Sequence, residues 1–211
     1  MILSHQKKFI FVHVYKVAGS SIRKVLNPYA AISLRQSSFK DKWIALSKGV
    51  PFSSSFDGHV HAKELKDKLP KEIFNSYFKF AFVRNPWDWQ VSLYLFGLKD
   101  KNHYQHELFT SFKNFDEYLD WRVNNELKLQ KSFLTDTNGE LLVDHVGRFE
   151  QLQEEFDFIC QQVGIPKVKL PVLNKSNSGN YASYYNDKTI QLVGEAFKED
   201  IEFLGYDFDN K

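Results

Sequence analysis

The chain has 211 residues and a mass of 24.8 kDa, the length of one ordinary domain, and we expect a single domain over residues 1–211. Its 28 Lys and Arg residues against 26 Asp and Glu leave a net charge of +2. That balance excludes a highly charged disordered chain and gives no general reason to expect nucleic acid as a partner. Hydrophobic residues make up 43%, and twenty of the residues are Phe, so a phenylalanine-rich core is predicted.

The cysteine content and the start of the chain bear on its compartment. Cys160 is the sole cysteine, which excludes an internal disulfide and a cysteine-built zinc or iron–sulfur site. Residues 1–8 carry two lysines but lack the apolar stretch of a signal peptide. No segment approaches the roughly 20 apolar residues of a membrane span. We therefore predict a soluble cytoplasmic protein with no membrane span.

The first half of the chain alternates between strand and helix patterns. Residues 9–15 form a run of β-branched and aromatic residues, which is typical of a strand buried on both faces of a parallel sheet. A small-residue turn and a helix over residues 22–26 follow, ending before Asn27-Pro28. The later predictions, in chain order, are a short strand in 29–34, a short helix at 42–47, and helical spacing over 61–77 broken at Pro70.

The second half continues the same alternation. Residues 78–84 predict a strand, and a helix follows that begins at Pro86. Residues 141–149 predict a third strand, and helices are predicted over residues 150–163 and 189–203. Strands that alternate with helices predict an α/β fold, with a central, mainly parallel sheet flanked by helices.

The turn after the first strand has the composition of an anion-binding loop. Residues 16–21 read Lys-Val-Ala-Gly-Ser-Ser, and they join a strand to the start of a helix. Backbone N–H groups near Gly19 can surround an anion at the positive end of the helix dipole, and Lys16 adds a charge. The alternative is a plain helix cap beside a solvated lysine. The loop is not a Walker A motif, because that motif places lysine after its last glycine.

The turn after residues 78–84 carries the second set of candidates. Arg84 closes the strand and offers a planar fork of donors that suits phosphate. Ser92 lies about two helical turns further on and is expected to reach the same phosphate with its hydroxyl. The alternatives are an ion pair between Arg84 and Asp88, and a packing role for Ser92 as a small residue at a helix contact.

Together the two turns resemble those of the carbohydrate-type sulfotransferase family. Residues 16–21 resemble its phosphosulfate loop, Lys-Thr-Gly-Gly-Thr-Ser, and residues 80–94 resemble its 3′-phosphate motif, Val-Arg-Asn-Pro-x-x-x-x-x-Ser-x-Tyr. The resemblance continues in order through residues 147–152, 173–176, 184–185 and 200–208. It implies a P-loop NTPase-like three-layer α/β fold and the use of 3′-phosphoadenosine 5′-phosphosulfate (PAPS) as co-substrate.

The resemblance also implies roles for individual residues. Lys16 and the backbone of Gly19, Ser20 and Ser21 hold the 5′-phosphosulfate, and Arg84 and Ser92 hold the 3′-phosphate. Apart from the resemblance, the polar late loop places Tyr181, Tyr184 and Tyr185 as candidates to cover the nucleotide. The nucleotide-binding set is Lys16, Ala18, Gly19, Ser20, Ser21, Arg84, Ser92 and Tyr184. No metal is expected, since Lys16, assigned a catalytic role, and Arg84 supply the positive charge. The chain departs from the family at Val17-Ala18, where Thr-Gly is usual, and we expect Ala18 to be tolerated if its φ is negative.

An acceptor hydroxyl needs a base, and histidines lie between the two motifs. The segment around His59 and His61 resembles the family's Gly-His segment. His59 is the first candidate for the base, because a neutral imidazole accepts a proton near pH 7. Its alternative is a loop histidine packed under aromatic side chains. His61 is the second candidate, with a surface position at a helix start as its alternative. Asp57 or Glu64 is placed to orient either ring.

The sequence thus predicts an enzyme, a PAPS-dependent sulfotransferase whose acceptor is a hydroxyl compound, with a carbohydrate as the first expectation. Three other functions remain open: a phosphotransferase of the nucleotide-kinase type, a non-catalytic PAPS- or glycan-binding module, and a nucleic-acid binder. The absence of a Walker A motif disfavours the first, and the near-neutral charge disfavours the third. The Val17-Ala18 change is the one feature that favours a binding module.

Overall fold

A four-stranded sheet organises the computed structural model, which describes residues 1–31, 39–47, 58–173 and 180–209. The strands are β1 (Ile2–Ser4), β2 (Phe9–Val12), β3 (Phe78–Val83) and β4 (His145–Arg148), and they lie in that order across the sheet. β1 runs antiparallel to β2, whereas β2, β3 and β4 are mutually parallel. The predicted α/β fold with a mainly parallel sheet is confirmed.

Short helices connect and flank the strands. They are α1 (Gly19–Leu26), α2 (Phe39–Ser47), α3 (Ala62–Lys68), α4 (Lys71–Ser76), α5 (Pro86–Lys99), α6 (His106–Ser111), α7 (Phe115–Asn125), α8 (Lys131–Leu134), α9 (Leu152–Gln162), α10 (Asp187–Ala196) and α11 (Lys198–Leu204). Single turns of 3-10 helix cover Asn27–Tyr29, Phe149–Gln151 and Tyr181–Tyr184.

The chain divides into two compact units. The first unit comprises Met1–Val83 and Ser132–Asn174 and contains the whole described sheet. The second unit comprises Arg84–Lys131 and Lys175–Lys211 and is helical in its described residues. A single domain over the full chain stays a prediction.

Phenylalanines fill the interior of the first unit, as the composition predicts. Phe9 and Phe11 on β2 and Phe80 and Phe82 on β3 are fully buried. The Phe11 and Phe80 rings stack with their centroids 5.3 Å apart, across a register that pairs the two residues. A strand that is buried on both faces needs a continuous run of apolar residues. For this reason β2 and β3 are the strands that the sequence predicts most clearly.

Several predicted boundaries differ from the observed ones. β2 ends at Val12, three residues early, because the chain turns there toward α1. β4 begins only at His145, since Leu141 forms an isolated antiparallel bridge with Thr135 instead. The final predicted helix is broken at Phe197 into two.

Two further expectations concern the edge of the sheet and the residues after α1. β1 carries no sequence signal, because three residues are too few for a period to appear. A strand over 29–34 is wrong for residues 29–31, because a 3-10 turn covers Asn27–Tyr29 and residues 30 and 31 belong to no strand. Residues 32–34, and the predicted site residue Asp57, lie outside the described part of the chain.

Candidate functional site

The loop between β2 and α1 has an unusual backbone. Lys16 has a φ of 65° and Ala18, the N-cap of α1, has a φ of 61°. Few residues other than glycine adopt this left-handed region, and such residues concentrate at functional loops. Left-handed residues in a turn also help to form the concave rows of N–H groups that bind anions. The condition under which sequence analysis expected Ala18 to be tolerated, a negative φ, is not met, because the chain turns sharply there from strand to helix.

The first turn of α1 determines which amides face an anion. The N–H of Ser21 donates to the carbonyl of Ala18 at 2.9 Å, and that of Ile22 donates to the same oxygen at 3.2 Å. The amides of Gly19 and Ser20 precede these bonds and belong to the open end of the helix. Ser20 is exposed and Ser21 is buried. Of the three amides predicted to hold the phosphosulfate, that of Ser21 is already engaged within the turn.

Val17, the first departure from the family loop, packs into the interior. Its side chain is 0% exposed. A threonine at this position would therefore present its hydroxyl to the core rather than to a ligand arriving from solvent. The missing hydroxyl removes no accessible contact.

Gly19 is a glycine because of what lies against it. A Cβ built on Gly19 would stand 1.6 Å from Nε2 of His13, far inside van der Waals contact. The His13 imidazole therefore packs directly on the loop backbone. Its other neighbours include the Phe11 ring, whose centroid is 5.5 Å away. His13 directly follows β2, and its imidazole packs against the anion-binding loop of residues 16–21 at Gly19.

His59 packs against the same imidazole. The His13 and His59 rings have their centroids 4.4 Å apart, and Nδ1 of His59 is 3.0 Å from the carbonyl oxygen of His13. A carbonyl oxygen only accepts hydrogen bonds, so Nδ1 of His59 carries the proton and donates it. In the neutral ring, Nε2 is then the unprotonated nitrogen, which is the form that a general base requires.

Burial controls the charge of both histidines. Burial lowers the pKa of His13 to about 3, and His59 acts in the same direction. Burial also lowers the pKa of His59 below its ordinary 6.5, with Arg23 adding to the effect and the bond to the His13 carbonyl opposing it. Both rings are therefore neutral at pH 7.

His61, the second candidate base, is held differently. Its Nδ1 donates to the carbonyl of Ser132 at 2.8 Å, and its ring stacks on Phe133 at 4.2 Å. It forms the N-cap of α3 without a side-chain cap bond. Glu64, expected to orient one of the histidines, pairs with Lys68 at 2.6 Å. Backbone carbonyls, rather than a carboxylate, therefore hold Nδ1 of both rings.

Arg84 opens the second unit with its side chain buried. Its Nε donates to Oδ2 of Asp88 at 2.7 Å and its Nη2 to Oδ1 at 2.9 Å, a two-pronged ion pair. Arg84 is 3% exposed, and Ser92, on α5, is 2% exposed. The ion pair that sequence analysis kept as an alternative is thus present, and it fixes the plane of the guanidinium group.

Tyr184 ends the 3-10 turn at Tyr181–Tyr184 and is half-buried. Its ring packs against Phe115 with centroids 5.6 Å apart. The neighbouring Tyr185 donates its hydroxyl to the carbonyl of Trp87 at 2.8 Å, and burial raises its pKa well above 10. The hydroxyl bond therefore anchors Tyr185 to α5, whereas Tyr184 packs its ring on Phe115 of α7.

Sequence reasoning missed two buried polar residues beneath Arg84. Gln130 bonds both backbone groups of Arg84 with its side chain, and Asp200 accepts from the backbone amides of Gln130 and Lys131. Burial raises the pKa of Asp200 to about 6. Gln130 belongs to no recognisable motif. Asp200 begins the segment 200–208 that resembles the family, but that resemblance assigns it no role.

No group of three or more His, Cys, Asp or Glu side chains in residues 1–31, 39–47, 58–173 and 180–209 is arranged to hold a metal ion. Among the helices of those ranges, none has the length and apolar character needed to cross a bilayer.

Comparison with known proteins decides the family. A model described as "Sulfotransferase family" matches residues 1–207, nearly the whole chain. The protein belongs to the sulfotransferase family. An uncharacterized protein of Archaeoglobus fulgidus is 28% identical to this sulfotransferase over 118 residues, which are 56% of this chain and 92% of that protein.

A solved structure supports the fold of this sulfotransferase. Mouse sulfotransferase SULT7A1, crystallised with PAP, superposes with a TM-score of 0.50 over 94% of this chain and 85% of that chain, at 15% identity. The predicted P-loop-like α/β fold and the prediction of a sulfotransferase enzyme are confirmed.

Proposed function

We propose that this sulfotransferase transfers a sulfuryl group from PAPS to a hydroxyl group of a carbohydrate acceptor, with His59 as the general base. The observation that carries the proposal is the contact chain from the loop to the base within the first unit. Gly19 touches His13, and His13 packs against His59 and orients it through its carbonyl oxygen. Anion loop and base are therefore linked through one imidazole.

The loop supplies hydrogen-bond donors and a positive charge, which match the negative charge of a phosphosulfate group. In this proposal the amides of Gly19 and Ser20 and the Ser20 hydroxyl donate to its oxygens, as first-turn groups of a helix do. Lys16 neutralises the negative charge that grows on the leaving phosphate. Ala18 contributes by its left-handed backbone, which shapes the loop.

The chemical step is an in-line displacement at sulfur. The acceptor oxygen forms a bond to sulfur while the bond between sulfur and the bridging phosphate oxygen breaks, which releases 3′-phosphoadenosine 5′-phosphate (PAP). His59 takes the hydroxyl proton on Nε2, because Nδ1 already carries one and donates it to the His13 carbonyl. Lys16 stabilises the phosphate that departs. Atoms and charge balance without a metal ion.

The remaining contacts concern the adenosine part. We assign Arg84 and Ser92 to the 3′-phosphate and Tyr184 to the cover of the nucleotide. The two-pronged ion pair with Asp88 supports the role of Arg84, since it holds the guanidinium plane in one orientation. That SULT7A1 was crystallised with PAP is consistent with this assignment. We propose a carbohydrate acceptor because the motifs of residues 16–21 and 80–94 resemble those of carbohydrate-type sulfotransferases. We propose a cytoplasmic location because of the single cysteine and the absence of a signal-peptide pattern in residues 1–8.

Calorimetric titration with PAP tests the nucleotide part. We expect micromolar binding by the wild-type protein and a loss of about tenfold or more in Lys16→Ala, because one charge-assisted contact is removed. Lys24→Ala is the matched control, since Lys24 is an exposed lysine of α1 beyond the loop. Equal affinities in all three proteins would contradict the assignment of the loop.

A further inference from the structure

Gln130 forms an unusual clamp on the backbone of Arg84. Its side-chain Oε1 accepts from the Arg84 N–H at 2.9 Å, and its Nε2 donates to the Arg84 carbonyl at 2.7 Å. Gln130 is 0% exposed. One amide side chain thus satisfies both backbone polar groups of a buried residue that lies just past the end of β3.

Gln130 is itself held in place by Asp200. The two carboxylate oxygens of Asp200 accept from the backbone N–H groups of Gln130 and Lys131 at 2.8 Å and 2.7 Å. Asp200 is also 0% exposed. The backbone from which the Gln130 side chain extends is therefore fixed by two charge-assisted hydrogen bonds in a dry interior.

These contacts fix Arg84 at both ends. Gln130 holds its backbone, and Asp88 holds its guanidinium group through Nε and Nη2. An arginine side chain has many rotamers, and recognition of a phosphate requires one of them. An arginine that is restrained at both its backbone and its guanidinium group loses little further conformational entropy when it binds an anion.

We propose that Gln130, supported by Asp200, is a positioning residue that sets Arg84 for selective recognition of a 3′-phosphate. This inference rests on the proposed function, which assigns the 3′-phosphate to Arg84. Gln130 does not touch the nucleotide in this account and acts through the Arg84 backbone. Removing its amide takes both of these hydrogen bonds away from the buried Arg84 backbone, which we then expect to shift.

The affinity ratio between PAP and AMP tests the inference, because the two nucleotides differ only in the 3′-phosphate. In Gln130→Met, which keeps the side-chain length and removes both hydrogen bonds, we expect PAP affinity to fall about tenfold or more. AMP affinity should stay close to that of the wild-type protein. A general loss of folded protein would lower the binding stoichiometry for both nucleotides and leave the ratio unchanged.

Gln90→Met is the matched control. Gln90 is also a fully buried glutamine of the second unit, and its Oε1 accepts from the Tyr118 hydroxyl at 3.3 Å. We expect this variant to keep the wild-type ratio. Asp200→Asn provides a second route if Gln130→Met does not fold, and its ratio should fall less.

The outcomes separate the inference from the proposed function. A wild-type protein that binds AMP as tightly as PAP would overturn the assignment of Arg84, and with it the inference. A wild-type ratio that is unchanged in folded Gln130→Met, or in Asp200→Asn where Gln130→Met does not fold, would overturn the inference alone. A ratio that collapses in Gln130→Met and persists in Gln90→Met would support it.

Discussion

The imidazole of His13 occupies the space that a side chain on Gly19 would need, with Nε2 only 1.6 Å from the position of the absent Cβ. The same imidazole packs against the His59 ring, and the His13 carbonyl orients that ring. These contacts couple three residues that are separated in sequence. They are Gly19 of the anion-binding loop, His13, which follows β2, and the proposed base His59.

Gly19→Ala is expected to destabilise the protein by about 1–3 kcal/mol, because the added methyl group meets a buried ring. The double variant Gly19→Ala/His13→Ser should lose less free energy of unfolding than the sum of the single variants, since serine vacates the space. Urea denaturation of the four proteins measures this coupling. Gly58→Ala is the control, because a Cβ there meets nothing within 4 Å. Additive losses would contradict the contact.

Ala18→Gly should raise the free energy of unfolding by up to about 1 kcal/mol, because glycine adopts a φ of 61° without the steric cost that alanine carries. Ala30→Gly is the control and should lower it, since Ala30 has an ordinary φ of −80° and glycine there only adds freedom to the unfolded chain. Thermal denaturation compares the two. The same sign for both would mean that the loop conformation at Ala18 differs from the one described.

The stability of the protein should fall below pH 6.5 through His13. Its folded pKa of about 3 lies below the unfolded value of 6.5, so the unfolded chain binds more protons between these limits. The contribution is complete above pH 6.5 and is lost as the pH decreases, by about 1.4 kcal/mol per pH unit. His13→Asn cannot titrate and should show a flatter profile in urea denaturation between pH 4 and 7. Parallel profiles would argue that His13 is charged or exposed.

The rate of sulfuryl transfer should depend on pH through His59. Because burial lowers its pKa, kcat/KM should decline on the acid side with a midpoint below 6.5. Above that midpoint the ring is neutral and Nε2 accepts the proton. Initial rates between pH 4.5 and 8 measure the profile. A midpoint above 6.5 would indicate that a group other than His59 titrates.

The sequence predicts the fold well where burial dictates the pattern. The phenylalanine runs of β2 and β3 identify the parallel centre of the sheet, because strands covered on both faces are continuously apolar. β1 and the interruption at Phe197 escape prediction, since three-residue strands and single helix breaks produce no period.

The sequence predicts only part of the candidate site. Lys16, Gly19 and Arg84 stand out because motif spacing places them at strand ends. The contact of Gly19 with His13 is invisible in the sequence, since it depends on how a ring at a strand end folds back on a loop. The support of Arg84 by Gln130 likewise joins residues 46 positions apart through a single side chain. Single polar residues of this kind have no spacing rule.

The most direct test of the account is transfer of labelled sulfuryl groups from PAPS to a panel of mono- and oligosaccharides. We predict labelling by the wild-type protein, and a decrease in kcat of about 10²–10⁴-fold in His59→Gln, the range for loss of a general base. His61→Gln, a histidine also held by a backbone carbonyl, is the control and should remain active. PAP binding by His59→Gln should be preserved. Full activity in His59→Gln, or PAP binding by the wild-type protein with no labelled acceptor, would contradict the account.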